Sequence, residues 1–132
     1  MFLATILPVG AQVAPPATPA ECSGIVFSGP AILGTSASDT IDGTNGNDLI
    51  FALGGSDDVD GKGGRDCIVG GDGSDTLIGG GNDDVILGGS GSDTIEGNDG
   101  VDKLLGEADA DSIRGGNGND EITGGDGPDF IR

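Results

Sequence analysis

Gly70-Gly71-Asp72-Gly73-Ser74-Asp75-Thr76-Leu77-Ile78 runs directly into Gly79-Gly80-Gly81-Asn82-Asp83-Asp84-Val85-Ile86-Leu87. Each nonapeptide opens on glycine, carries aspartate sixth and places a large aliphatic residue eighth. Working outward, the same period continues without insertion from Gly34 to Arg132, which makes eleven blocks. The sixth position is Asp39, Asp48, Asp57, Asp66, Asp75, Asp84, Asp93, Asp102, Asp111, Asp120 and Asp129. The eighth is Ile, Leu or Val in every block, from Ile41 to Ile131. The first is glycine everywhere except Ala52. Six residues rich in Gly and Asp favour a turn, because glycine adopts positive φ without steric cost. The three that follow read as a short strand whose middle side chain points inward.

The repeat G-G-x-G-x-D-x-U-x, with U aliphatic, resembles that of the repeats-in-toxin family of calcium-binding parallel β-rolls. The resemblance covers three quarters of the chain, residues 34–132. It implies an all-β fold, a parallel β-roll of eleven nine-residue repeats with two repeats per coil. The aliphatic column would then form a thin core between two facing sheets. Residues 1–33 stand apart as an apolar N-terminal arm.

Stacking alternate turns sets Asp39 near Asp57 and Asp48 near Asp66. Carboxylates about 5 Å apart repel by roughly 3 kcal/mol per pair at an effective dielectric of 20. A divalent cation between turns removes that repulsion. Calcium suits the site because it accepts six to eight oxygens at flexible angles, whereas magnesium tends to keep its waters. Zinc and copper prefer nitrogen and sulfur ligands that the repeat lacks. The aspartate column is the expected ligand set. Turn carbonyls complete the shell, with candidates at Gly43, Gly61, Gly70, Gly71, Gly73, Gly79, Gly88, Gly89, Gly91, Gly97, Gly115, Gly116, Gly118 and Gly124. Nine gaps between like turns predict up to about nine Ca²⁺, whose charge would match the formal −18 of the chain. Calcium-free, so acidic and glycine-rich a chain is expected to be disordered. The fourth position departs from glycine at Ala37, Asn82 and Asp109. Ala tolerates a left-handed turn poorly, so the first block is expected to be the weakest site. Sites that use Glu107-Ala108-Asp109 are expected to be weaker as well.

The composition restricts function from another side. There are 23 acidic residues against 5 basic ones and no His, Trp or Tyr. Such a charge excludes nucleic acid as a partner. No apolar run reaches the roughly 18 residues of a membrane span. Without His, and with every repeat carboxylate committed to a turn, no nucleophile–base pair is evident. The chain is not expected to be an enzyme.

Met1 to Ala20 carry no charged side chain and four of the six prolines. Met1–Leu7 reads as the apolar part of a secretory signal, although the first basic residue is Lys62. A retained docking arm is the other reading. In the even-numbered blocks the outward positions are apolar: Phe51, Val69, Leu87 and Leu105 in one ladder, Leu49, Cys67 and Val85 in the next. An apolar face this continuous normally meets something. The arm is one candidate partner and another copy of the chain is a second. Cys22 lies in the arm and Cys67 in the ladder. A Cys22–Cys67 disulfide would fasten the two and imply an oxidising compartment. Pairing between chains and two free thiols are the alternatives.

These readings converge on a secreted, extracellular or cell-surface calcium-binding structural β-roll that folds on Ca²⁺. Copies are expected to self-assemble head to tail into a filament through open ends, arm and apolar face. Eleven strands would turn each successive copy by half a revolution. The alternative is a calcium-responsive secretion or folding segment of a larger secreted toxin or enzyme. A polysaccharide-binding module is a third reading, and Phe51 alone supports it.

Overall fold

Eighteen residues separate each strand from its hydrogen-bonded neighbour, so the nine-residue period builds two sheets rather than one. The computed structural model describes residues 15–132; the signal-like stretch Met1–Leu7 lies outside them. Twelve strands follow in order: β1 Ile32–Leu33, β2 Thr40–Asp42, β3 Leu49–Gly54, β4 Asp58–Asp60, β5 Cys67–Asp72 and β6 Thr76–Gly81. They continue as β7 Val85–Ser90, β8 Thr94–Asp99, β9 Lys103–Ala108, β10 Ser112–Asn117, β11 Glu121–Asp126 and β12 Phe130–Ile131. Odd strands form one six-stranded sheet and even strands the other. All pairings are parallel, and the result is a β-solenoid of six coils.

Three details depart from the sequence reading. First, a twelfth strand precedes the repeats. β1 pairs Ile32 with Ile50 and Leu33 with Phe51, so Ala31-Ile32-Leu33 takes the place of a strand although Pro30 stands where the column has aspartate. Twelve strands close six whole coils, and end-to-end copies would therefore keep one orientation instead of turning by half a revolution. Second, most strands run for six residues rather than three. The second and third residues of the next block still pair across the sheet, as Leu53 with Gly71 and Gly54 with Asp72. Third, β2 and β4 stay at three residues, because the turn after β2 has another shape, described below.

The core is the eighth-position column. Ile41, Ile50, Val59, Ile68, Leu77, Ile86, Ile95, Leu104 and Ile113 are buried in one cluster with Ala52. A second cluster lies outside the odd-strand sheet. There Cys22 and Ile25 of the arm pack on Leu49, Phe51, Cys67, Val85 and Leu87. The arm thus covers the part of the apolar face that β3, β5 and β7 form. Phe51 is 3 % and Leu87 7 % exposed, so at these two positions the arm, and not another copy, occupies the face, while Val69 is only partly buried and Leu105 lies outside the arm's cluster. The physical reason is proximity. The arm leads directly into β1 on the edge of that same sheet, and an intramolecular cover needs no second molecule. The arm is held by a Cys22–Cys67 bond, Cα–Cα 5.8 Å. It is also held by polar contacts with Asn47, whose Nδ2 donates to Val26 O at 2.9 Å and whose carbonyl accepts from Ser28 N–H at 2.7 Å.

Candidate metal centre

The aspartate column sits at the last residue of each turn, just before the strand. There its side chain folds inward, and Asp57 to Asp111 are buried. The two oxygens of each carboxylate have different surroundings. Oδ1 accepts the backbone N–H of the aspartate one coil earlier: Asp48 N–H donates to Asp66 at 2.8 Å, and Asp66 N–H donates to Asp84 at 2.8 Å. The same contact recurs from Asp39→Asp57 through Asp111→Asp129. The column is therefore a hydrogen-bond ladder as well as a row of charges, and the ladder was not foreseen from the spacing.

Oδ2 is the open valence. In Asp57, Asp66, Asp75, Asp84, Asp93, Asp102 and Asp111 it is buried and has no hydrogen-bond partner. A buried carboxylate oxygen without a partner is costly. The cost appears in the acidities. Burial pushes the carboxyls of Asp66 and Asp93 up to about 7 and that of Asp84 to about 8. The ladder hydrogen bond acts against this, and neighbouring carboxylates add to it.

In the six of these blocks that open on glycine, the open oxygen leans back over that glycine. A Cβ placed on Gly61 would lie 2.6 Å from Asp66 Oδ2 and 2.6 Å from the carbonyl oxygen of Gly79. Gly70, Gly88, Gly97 and Gly106 stand in like cradles between the carboxylate of their own block and the carbonyl one coil on. Glycine at position one thus leaves a pocket where a carboxylate oxygen and a main-chain oxygen converge. Gly43 meets Gly61 O in the same way. Gly71, Gly73, Gly89, Gly91, Gly116 and Gly118 have positive φ. A Cβ there would strike the carbonyl of the preceding coil, so these glycines let main-chain oxygens stack closely. Gly79, Gly115 and Gly124 complete the first-position column. Among the described residues no three acidic, Cys or His side chains converge on one point. A cation between turns would therefore draw its remaining oxygens from the backbone. Hard oxygen donors of this kind, with an unneutralised carboxylate among them, fit calcium.

The turns fall into two kinds. Blocks three to eleven hold positions two and four at positive φ, even where the residue is Leu53, Lys62, Asn82, Asn98, Glu107 or Asp109. Blocks one and two do not, and both have threonine second. Thr35 donates to Asp39 Oδ2 from its N–H at 2.6 Å and its hydroxyl at 2.9 Å. Thr44 does the same to Asp48, at 2.6 and 2.9 Å. Ala37 thereby escapes the left-handed conformation. The Oδ2 atoms of these two carboxylates are satisfied within their own turns, so Asp39 and Asp48 differ in kind from the seven whose Oδ2 is open. The signal was present in the sequence, as Thr in place of Gly at position two.

A parallel β-solenoid with inward aspartate turns at every ninth residue defines a class of calcium-binding rolls. The sequence model of the RTX calcium-binding nonapeptide repeat matches residues 33–68, 64–95 and 96–131. The chain belongs to that family. Neither the search of curated proteins nor that of solved structures returned a match. Repeats of this family bind Ca²⁺ and typically occur in secreted proteins.

Proposed function

We propose that this chain is an extracellular structural module whose roll forms when calcium enters the gaps between turns. The observation that carries the reading is the set of seven buried Oδ2 atoms without partners, five of which (Asp66, Asp75, Asp93, Asp102 and Asp111) share a glycine cradle with a main-chain oxygen of the next coil. A cation in each gap would hold the carboxylate ionised, neutralise its neighbours' repulsion and tie two coils together. The ligands would be the aspartates from Asp57 to Asp111, with the stacked turn carbonyls. Blocks one and two use threonine instead, which lowers the expected number of equivalent ions from nine to seven. Seven Ca²⁺ would leave a formal charge of −4 out of −18. No catalytic role is part of this reading.

A calcium titration followed by circular dichroism tests it, with native mass spectrometry counting ions. Coil signal should convert to β with about seven strongly held Ca²⁺ on the site count above. Unchanged β content after chelation would overturn the reading.

Head-to-tail stacking is the finer part of the proposal. Along the even-strand sheet the ninth positions run Asp42, Asp60, Ile78, Glu96, Arg114, Arg132, from acidic at one end to basic at the other. Stacked copies would set Arg132 beside Asp42 of the next. They would also cover Phe130 and Ile131, now 58 % and 49 % exposed. Electron microscopy with and without calcium checks this. Single particles one roll long at saturating calcium would leave the calcium-responsive segment of a larger secreted protein as the better reading.

A further inference from the structure

Cys22 and Cys67 are 1 % and 0 % exposed. While the arm lies in place, a reductant in solution has no path to either sulfur. What covers them is tertiary. Both cysteines lie in one cluster with Ile25 and Phe27 of the arm and Leu49, Val85 and Leu87 of β3 and β7. Those strands flank β5 only because blocks two, four and six are stacked, and the turns of these blocks carry Asp48, Asp66 and Asp84. The coupling is direct at Cys67. It follows Asp66 in the chain, and its N–H donates to Asp48 O at 2.9 Å. Asn47, the residue before Asp48, is the arm's other anchor.

We infer that the disulfide and the cation sites are linked. Calcium shields the Cys22–Cys67 bond from reduction, and the bond lowers the calcium concentration at which the roll folds. The inference rests on the reading that calcium drives folding. Linkage of this kind is reciprocal, since each ligand or bond favours the same folded state. The reductive step is an exchange with a dithiol. Its thiolate attacks one cysteine sulfur and breaks the S–S bond, giving a mixed disulfide. Its second thiolate then displaces the protein sulfur and closes a cyclic disulfide. Two electrons and two protons pass to Cys22 and Cys67.

The bond joins residues 45 positions apart. Closing a loop of that size in the unfolded chain is worth on the order of a thousandfold in the folding equilibrium. Spread over about seven cooperative ions, that becomes a two- to threefold change in the calcium midpoint.

Two measurements test the inference on the full chain. In the first, dithiothreitol is added to oxidised protein with saturating calcium or with chelator, and the free thiols are alkylated and weighed over time. Reduction should be at least about tenfold slower with calcium, because it must await local opening. In the second, the calcium midpoint is read by circular dichroism for oxidised wild type and for the Cys22→Ser/Cys67→Ser variant. The variant should need about two- to threefold more calcium. An oxidised chain that folds on calcium yet is reduced equally fast in both conditions would overturn the linkage, as would equal midpoints. If calcium gives no β signal in the oxidised chain, the calcium-folding reading itself fails, and that outcome is separately visible.

Discussion

Asp66 and Asp84 each divide their oxygens between two tasks. Oδ1 ties one coil to the previous one through a backbone N–H, and Oδ2 is buried without a partner. Asp39 has no open Oδ2, because Thr35 already donates to that oxygen twice. Asp75→Ala and Asp93→Ala should therefore lower calcium-bound stability by about 3 kcal/mol each, the scale of breaking a buried charge pair, against under about 1 kcal/mol for Asp39→Ala. Thermal unfolding at fixed calcium measures the difference, and equal losses at all three sites would contradict it. The same oxygens set a pH dependence. Burial raises the folded-state pKa values of Asp66, Asp84 and Asp93 above the ordinary carboxylate value. In the metal-free roll they favour folding below about pH 4 and lose that contribution as pH rises to about 7–8. Calcium needs the ionised form, which the unfolded calcium-free chain already supplies above about pH 5, because its carboxylates titrate near 4. The calcium midpoint should therefore change little between about pH 6 and 8 and rise as pH falls below about 5, and a midpoint that keeps falling from about pH 6 to 8 would show that a metal-free roll with protonated aspartates is already folded.

At the level of strand and turn, glycine is required for different reasons at different positions. At position one it leaves the cradle open. At positions two and four it permits positive φ where one coil presses on the last. Leu53 holds φ at 81° without that licence and stays partly exposed. A left-handed non-glycine residue costs roughly 1–2 kcal/mol. Leu53→Gly should therefore stabilise the calcium-bound roll by about 0.5–1 kcal/mol after the loss of unfolded-chain entropy is counted. Differential scanning calorimetry reads this as a higher Tm, and a lower one would mean that Leu53 contributes packing not apparent from its exposure. The third to eleventh turns share one shape, so a single exception in sequence is absorbed by the stack. Two adjacent threonine-bearing turns instead change the local fold and shorten β2 and β4.

Taken whole, the molecule has a narrow aliphatic core, one face covered in part by its own arm and a charge of −18. The arm adds a second apolar cluster that the repeats could not supply. Stability of the roll still depends on neutralising its turns. Magnesium, which dehydrates reluctantly and asks for near-octahedral geometry, should not replace calcium. At equal concentration it should leave the circular dichroism close to that of the chelated chain, and full recovery of β signal would point to general charge screening.

The sequence by itself determined the period, the aspartate column, the aliphatic column and the family, because a solenoid maps one-dimensional repetition directly onto space. It also marked both cysteines and the apolar ladder that the arm partly covers. Only the tertiary structure decided which oxygen of each aspartate is engaged and which is open. That depends on the backbone N–H one coil away, a neighbour 18 residues distant. The same holds for the twelfth strand. Ala31-Ile32-Leu33 has no repeat signature, and it becomes a strand because β3 offers it an edge beside the segment that Cys22 anchors. The two threonine turns lie between these cases. Their residues were in plain sight, but their effect follows from a hydrogen bond that closes only when the turn is built.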